Sequence, residues 1–450
     1  MSDATKTHSE SNSKPNRIEI PAVGDHVGQT IELEGWVDAV RDQKAVQFVI
    51  LRDSRHRKIQ LVNPTSNTEL AAIISALNAE STVRVRGTVA ENPIVKLGGV
   101  EVKLDSLEVL STAGENLPMD EQSGLDIRLD WRYLDLRDPR KRLIFEVNTV
   151  VQAAMREYWL REGFIEIHTP KLMETASETK AELFEVPYFD RTAYLAQSPQ
   201  FYKQMAMAAG FDRIFEIGEV FRADPSFTTR HATEYTSVDT EIGWIDGPED
   251  VMDFMEGWLG FVLGALRDKC GPRIAELYDG LEVVVPGPET PFVRVTHAEA
   301  LQILDKYDHK LGQHDDLDPE GERKLSEHFT AEGKGDFVFV TDYPAGVRAF
   351  YHMQYDDRPG ITKGFDLLYR GLEITTGAQR EHRLEVLEAQ AKARGLDVAH
   401  LQHYFDFFRY GIPPHGGFGF GSERFLMKLL GLESVREAMY LFRGPNRLSP

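Results

Sequence analysis

Cysteine is almost missing from this 450-residue chain, with Cys270 the only one. One thiol can build neither an internal disulfide nor a cysteine-based metal cluster, so a reducing, cytoplasmic setting is expected. Long apolar runs are missing as well. The best stretch, 258–266, falls far short of the ~20 residues a bilayer span needs, so no membrane partner is expected. The first 16 residues are rich in Ser, Thr, Lys and Asn with no apolar core, which excludes a secretory signal and predicts a disordered tail. Positive charge is also scarce, 51 Lys and Arg against 72 Asp and Glu, a net charge of −21. Taken as a sum, that charge repels a nucleic acid.

Distribution matters more than the sum. Residues 17–112 hold 11 basic and 13 acidic residues, so this stretch carries little of the acidity. Within it residues 41–58 hold Arg41, Lys44, Arg52, Arg55, Arg57 and Lys58 against Asp42 and Asp53 alone. Alternating, β-branched runs predict strands over 30–40, 46–51, 58–62, 82–89 and 100–110, with a helix over 68–77. Five strands with one helix after the third is the order of an OB-fold barrel, a platform for single-stranded nucleic acid. The second and third strands bracket the basic cluster. Phe48 is thereby placed to stack a splayed base and Gln60 to read a base edge, a place in the barrel core being the competing use of Phe48.

Residues 113–140, with Gly114, Pro118, Gly124 and Pro139, are polar and turn-rich and read as a hinge before a second domain over 141–450. That domain opens with an amphipathic helix through Ile144, Val147, Val151, Ala154 and Tyr158. A strand over 164–168 ends near Pro170, which suits an edge or an interface. Strands over 214–221 and 234–244 are joined by a loop too long for a tight turn. Arg222 follows the first strand, and Arg230 and His231 precede the second. Alternation puts Tyr235, Ser237, Asp239 and Glu241 on one face and Val238, Ile242 and Trp244 on the other. An aromatic, two carboxylates and flanking arginines suit a site floor, with a solvated sheet face as the plain alternative.

Asp366 and Glu373 are seven apart and belong to opposite faces of a regular strand. A bulge at Arg370-Gly371 would return both to one face, and two carboxylates there, with no His or Cys beside them, suit Mg²⁺ on phosphate oxygens. A helix burying Leu384, Leu387 and Ala391, ended by Gly395, sets Arg380 near its start. Near the C-terminus, Phe418-Gly419-Phe420-Gly421-Ser422-Glu423-Arg424 runs a glycine-punctuated strand into an apolar helix. An arginine at such a junction suits a polyphosphate or a purine ring, and a Glu-Arg pair at a helix start is its simpler use.

These segments together resemble the class II aminoacyl-tRNA synthetases, and within them the aspartyl-tRNA synthetase family of compact archaeal and eukaryotic type. Glu166-Ile167-His168-Thr169-Pro170 resembles the end of motif 1 at a dimer interface. Phe221 through Arg230-His231 to Tyr235 resembles motif 2, and the Arg424 junction resembles motif 3. The resemblance covers all but the tail. It implies an α+β chain, with an OB-fold anticodon-binding domain followed by a catalytic domain built on an antiparallel sheet flanked by helices. It implies a cytoplasmic homodimer that uses ATP, Mg²⁺, L-aspartate and the aspartate tRNA.

Carried over residue by residue, the resemblance puts Arg222 on the α-phosphate, Arg230 and His231 on the distal phosphates, and Tyr235 and Arg424 on the two faces of adenine. Asp224, Ala232, Gly421, Ser422, Glu423 and Glu373 complete the ATP site, and Asp366, Glu373 and Thr376 would hold Mg²⁺. Aspartate would meet Glu178, Gln200, Lys203, Arg222, Asp239, Thr376 and Arg380, while Phe48, Gln60, Arg41 and Lys96 would meet the anticodon. The catalytic burden falls on Arg222, Glu373 and Arg424, because in-line attack by a carboxylate needs positioning and charge neutralisation and no covalent nucleophile.

Gln197-Ser198-Pro199-Gln200-Phe201-Tyr202-Lys203 resembles the aspartate-specific signature. Arg380 is shared with asparaginyl enzymes, whereas Lys203 adds a second cation that favours a carboxylate over an amide. The asparaginyl enzyme is the near alternative, and a non-catalytic tRNA-binding paralogue or an amidating ligase using the same adenylate are the distant ones. Departures from the family are few. Ser177-Glu178-Thr179-Lys180-Ala181 lacks the usual glycine pair, Asp224 replaces Glu, Thr376 replaces Ser, Tyr235 replaces Phe, and Leu441-Phe442-Arg443-Gly444 varies a tail that begins Phe-Pro-Arg-Asp. Charging of the asparagine tRNA would turn on positions 38 and 96. By resemblance Lys96 fits the non-discriminating pattern and Asp38 fits neither pattern.

Overall fold

The computed structural model describes residues 17–120, 122–175, 182–225, 228–287 and 290–449. The N-terminal tail and Glu178 lie outside the described residues. The chain forms two compact units, Met1–Pro139 and Arg140–Pro450.

In the first unit the strands Thr30–Asp42, Val46–Arg52, Lys58–Pro64, Thr82–Glu91 and Val100–Ser111 close into a barrel, ordered first, second, third, fifth, fourth. Period-two alternation turns Leu33, Val49, Leu51, Leu61, Val83 and Val85 into one apolar core. The helix Thr68–Ser75 follows the third strand, starts where Asn67 Oδ1 accepts from Leu70 N at 3.4 Å, and buries Leu70 and Ile74. This is the OB order expected from the sequence. The stretch read as a hinge carries two short helices, Leu125–Asp130 and Arg132–Asp135, with Arg132 buried against Asp135.

The second unit is built on an eight-stranded sheet. Its order is Val293–Thr296, Phe337–Thr341, Gly364–Tyr369, Leu372–Arg380, His415–Gly421, Glu234–Gly243, Arg213–Phe221 and Ile165–Glu166. The six inner strands pair antiparallel, as expected, and each edge strand joins parallel, so the sheet is mixed. Helices Pro139–Arg161 and Pro248–Leu277 cover one face, where Val147, Trp159, Trp258, Phe215 and Phe418 share a core. Trp159 stacks on both Phe215 and Trp258. The other face of the central strands is polar.

Two local expectations are corrected. Arg370 and Gly371 form the hairpin turn, with φ of 48° and 78°, and the bulge lies at Ile374, where pairing shifts from Leu367↔Thr375 to Leu368↔Glu373. The consequence is the expected one: opposed residues share a face, so Asp366, Glu373 and Thr376 all project to the same side. Alternation puts Trp244 on the apolar face with Val238 and Ile242, but the strand ends at Gly243; Trp244 turns to φ 62°, is 71% exposed, and donates from Nε1 to Asp212.

Candidate active site

A cavity of about 480 Å³ opens on the polar face of the sheet in the second unit. Three neighbouring strands supply its floor: Tyr235, Ser237 and Asp239 from one, Glu373, Thr376 and Arg380 from another, and Gly419 and Gly421 from the strand between them. The glycines let backbone approach backbone there. At Gly417 in the same strand, a Cβ would lie 2.0 Å from Thr240 O and 2.4 Å from Glu241 Oε2, so no larger residue fits.

One end gathers buried charge. The helix Gln200–Ala208 lowers Lys203 into the sheet, where the side chain is 2% exposed. Its Nζ donates to Asp239 Oδ1 at 2.9 Å and Phe418 O at 3.2 Å and lies 3.4 Å from Glu241 Oε2. Arg380, the last residue of its strand and not part of the following helix, donates from Nε to Glu241 Oε1 at 3.1 Å and from Nη2 to Gly417 O at 2.9 Å. Its Nη1 lies 3.4 Å from His352 Nε2. Two cations thus converge on one end of the cavity, bridged from behind by a fully buried glutamate. Burial and the Arg380 charge push His352 well below its usual range, so it stays neutral. Gln200 lines the same end and donates to Gln204 Oε1 at 3.0 Å.

Arginines crowd the other end. Arg222, Asp224, Arg230, His231, Ala232 and Arg424 line it. Arg222 lies over the Tyr235 ring, 5.7 Å from its centroid. Arg424 projects from the first turn of the helix Ser422–Leu430 and donates to Glu373 O at 3.1 Å and Glu373 Oε1 at 3.3 Å. Arg230 donates to both oxygens of Glu322, at 3.2 and 3.3 Å. Burial and the Arg424 charge lower the pKa of His231, so it offers hydrogen bonds and little charge. Glu423, half-buried at the cavity wall, anchors the junction by accepting from Thr236 N at 3.2 Å. Ser422 does not line the cavity; its hydroxyl turns toward Asn148 Oδ1 at 3.4 Å.

The three residues given to Mg²⁺ by resemblance lie together, Asp366 directly opposite Thr376 in the ladder. Glu373 and Thr376 lie at the cavity wall, 3.4 Å apart between Oε1 and Oγ1. Both offer oxygen donors, which suit a hard divalent cation shared with phosphate. Asp366 lies behind them, buried and ion-paired with Arg348, outside the cavity lining. Burial pushes its carboxyl above the usual carboxylate range against the pull of Arg348. Arg348 holds its Oδ2, while Oδ1 is buried without a hydrogen-bond partner, an acceptor left open on the side of Glu373 and Thr376. Among the described residues no cluster of three His, Cys, Asp or Glu side chains could hold a metal alone.

In the barrel unit, Phe48 is half-buried and outside the apolar core cluster, paired in register with Arg41 on one side and Val62 on the other. Gln60 donates to Glu101 Oε2 at 3.1 Å, which also accepts from Asn92 at 2.8 Å. Arg41 and Lys96 are exposed. The basic cluster is partly neutralised: Lys58 and Arg52 both hold Asp38, at 2.7 and 3.3 Å, and Arg57 holds Asp53 at 2.6 Å.

Sequence reasoning did not assign Glu322, His352 or Tyr351 to the site. They lie in segments that carry no glycine-rich or arginine-rich signal of their own; folding brings Tyr351 and His352 to the cavity wall and Glu322 behind it, onto Arg230 and Glu373.

Residues 124–443 match the family of class II tRNA synthetases (D, K and N), and residues 31–110 match the OB-fold nucleic acid binding domain. The aspartate–tRNA(Asp/Asn) ligase of Aeropyrum pernix is 44% identical over 94% of this chain and 96% of its own length. The aspartate–tRNA(Asp) ligase of Pyrococcus horikoshii is 41% identical over 94% and 97%. An aspartyl tRNA synthetase structure from Entamoeba histolytica superposes with a TM-score of 0.85 at 30% identity, covering 98% of this chain and 94% of that one.

Proposed function

The chain belongs to the class II tRNA synthetases (D, K and N), and we propose that it is an aspartate–tRNA ligase, activating L-aspartate with ATP and passing the aspartyl group to tRNA. The observation that carries this reading is the pair of buried cations, Lys203 and Arg380, at one end of a cavity whose other end holds Arg222, Arg230 and Arg424. A side-chain carboxylate between Lys203 and Arg380 accepts charge-assisted hydrogen bonds from both, whereas an amide returns less to the ammonium. Asp239 takes the substrate ammonium, a group the resemblance also gives to Glu178.

The reaction needs no covalent help from the protein. Arg222 holds the aspartate α-carboxylate against the α-phosphate, Arg230 and His231 take the distal phosphates, and Tyr235 and Arg424 sandwich the adenine. An α-carboxylate oxygen attacks the α-phosphorus, a P–O bond forms and pyrophosphate leaves with the electron pair of the broken bond. Mg²⁺, held by Asp366, Glu373 and Thr376 with phosphate oxygens, would supply charge neutralisation. A hydroxyl of the terminal adenosine of tRNA then attacks the mixed anhydride and AMP departs. Phe48, Gln60, Arg41 and Lys96 read the anticodon. Assembly as a homodimer beside Pro170, where Ile165 and Leu172 are exposed, and action in the cytoplasm belong to the same proposal.

A second reading extends charging to the asparagine tRNA. It is favoured by the exposed Lys96 and by the Aeropyrum relative named for both tRNAs. Labelled aspartate offered with each purified tRNA tests both. Charging of the aspartate tRNA alone supports the narrow reading, charging of both supports the wider one, and charging of neither overturns the ligase.

A further inference from the structure

Glu322 lies outside all three arginine-centred segments, yet it touches two of the residues that define the nucleotide end of the cavity. It sits in the first turn of the helix Pro319–Ala331, whose start is fixed by Pro319 and by Asp318 Oδ1 accepting from Gly321 N at 2.7 Å. The next residue, Arg323, packs on the hairpin turn: a Cβ at Gly371 would lie 3.1 Å from the Arg323 Cα. Cap and turn together hold the Glu322 carboxylate in place. The residue is 4% exposed.

Both carboxylate oxygens accept from Arg230 Nη1, and Oε2 also accepts from the Glu373 backbone N–H at 2.9 Å. Glu373 in turn is held by Arg424. One buried carboxylate therefore fixes the arginine of the long loop and the strand position of Glu373 together. A long arginine loses rotamer freedom when it binds, and that loss is already met when a buried partner holds it.

We propose that Glu322 is a positioning residue for the triphosphate of ATP, keeping Arg230 and Glu373 in their binding geometry before nucleotide arrives. It touches no reacting atom and acts through Arg230 and Glu373. This rests on the ligase reading above, and wild-type pyrophosphate exchange with aspartate separates the two, since its absence sinks that reading first.

The test compares wild type with Glu322→Gln, which keeps volume and one acceptor, and with Glu322→Asp. Pyrophosphate exchange gives KM for ATP and for aspartate, and titration with a fluorescent ATP analogue in EDTA gives nucleotide affinity without metal. For Glu322→Gln the expected result is a rise of about tenfold in KM for ATP and in the metal-free nucleotide Kd, with KM for aspartate within twofold. Partial recovery in Glu322→Asp is expected. An unchanged or lowered KM for ATP, or equal rises for ATP and aspartate, would overturn the proposal; the equal rise marks a merely structural role.

Discussion

Arg424 and Lys203 mark the two ends of the cavity, Arg424 held by Glu373 and Lys203 by Asp239 and Glu241. Arg424→Ala leaves Glu373 without its guanidinium and removes a donor from the nucleotide end; adenylate formation should fall by about 10³-fold, measured by pyrophosphate exchange, with tRNA binding retained. Lys203→Met leaves Asp239 and Glu241 buried with one cation fewer, and kcat/KM for aspartate should drop by about 100-fold while KM for ATP holds. His415 gives a pH prediction. It is buried, its Nδ1–H donates to Pro413 O at 2.8 Å, and its Nε2 accepts from Gln204 at 3.0 Å, so both nitrogens are committed to the neutral ring. Burial lowers its pKa to about 4, below the unfolded value, so its contribution to stability is present above pH ~6.5 and is lost as pH falls toward 4. Thermal unfolding should show a smaller loss over that window in His415→Gln than in wild type. At this scale the sequence made Arg222, Arg424, Lys203 and Arg380 legible because each lies in a dense local pattern. Glu322 and His352 were illegible because nothing beside them in the chain announces a partner some 90 or 28 positions away.

The strand His415–Gly421 shows how an element builds the site. Its glycines admit the neighbouring strands and leave room for the Glu241 carboxylate that bridges Lys203 and Arg380. Gly417→Ala should destabilise the protein by about 2 kcal/mol or more and disable aspartate activation, because the added methyl meets backbone oxygen that cannot retreat. Gly24→Ala, with nothing within 4 Å, should leave both the melting temperature and activity near wild type. Periodicity found these strands within a residue or two, since the apolar face must alternate to reach the core. It placed the bulge one turn too early because a bulge and a tight turn share the same Arg-Gly chemistry, and pairing with the neighbouring strand decides between them. Trp244 was misassigned for a related reason: alternation continues on paper past the residue where the ladder stops.

Across the whole molecule, two units with separate cores divide the work, the barrel carrying the anticodon face and the sheet the chemistry. Composition showed the division early, through a nearly neutral stretch over residues 17–112 inside a strongly acidic chain, although the ion pairs that quiet half of the basic cluster appear only on folding. Substituting Phe48 and Gln60 by Ala should raise KM for tRNA by about tenfold each while leaving pyrophosphate exchange untouched, since stacking and base-edge contacts are worth about 1–3 kcal/mol. The most direct test of the central claim is pyrophosphate exchange run with aspartate and with asparagine in the same preparation. The buried pair Lys203 and Arg380 predicts brisk exchange with aspartate, at least 100-fold above asparagine on the order expected for a charge-matched buried site. Exchange with asparagine alone, or with neither amino acid, would contradict it.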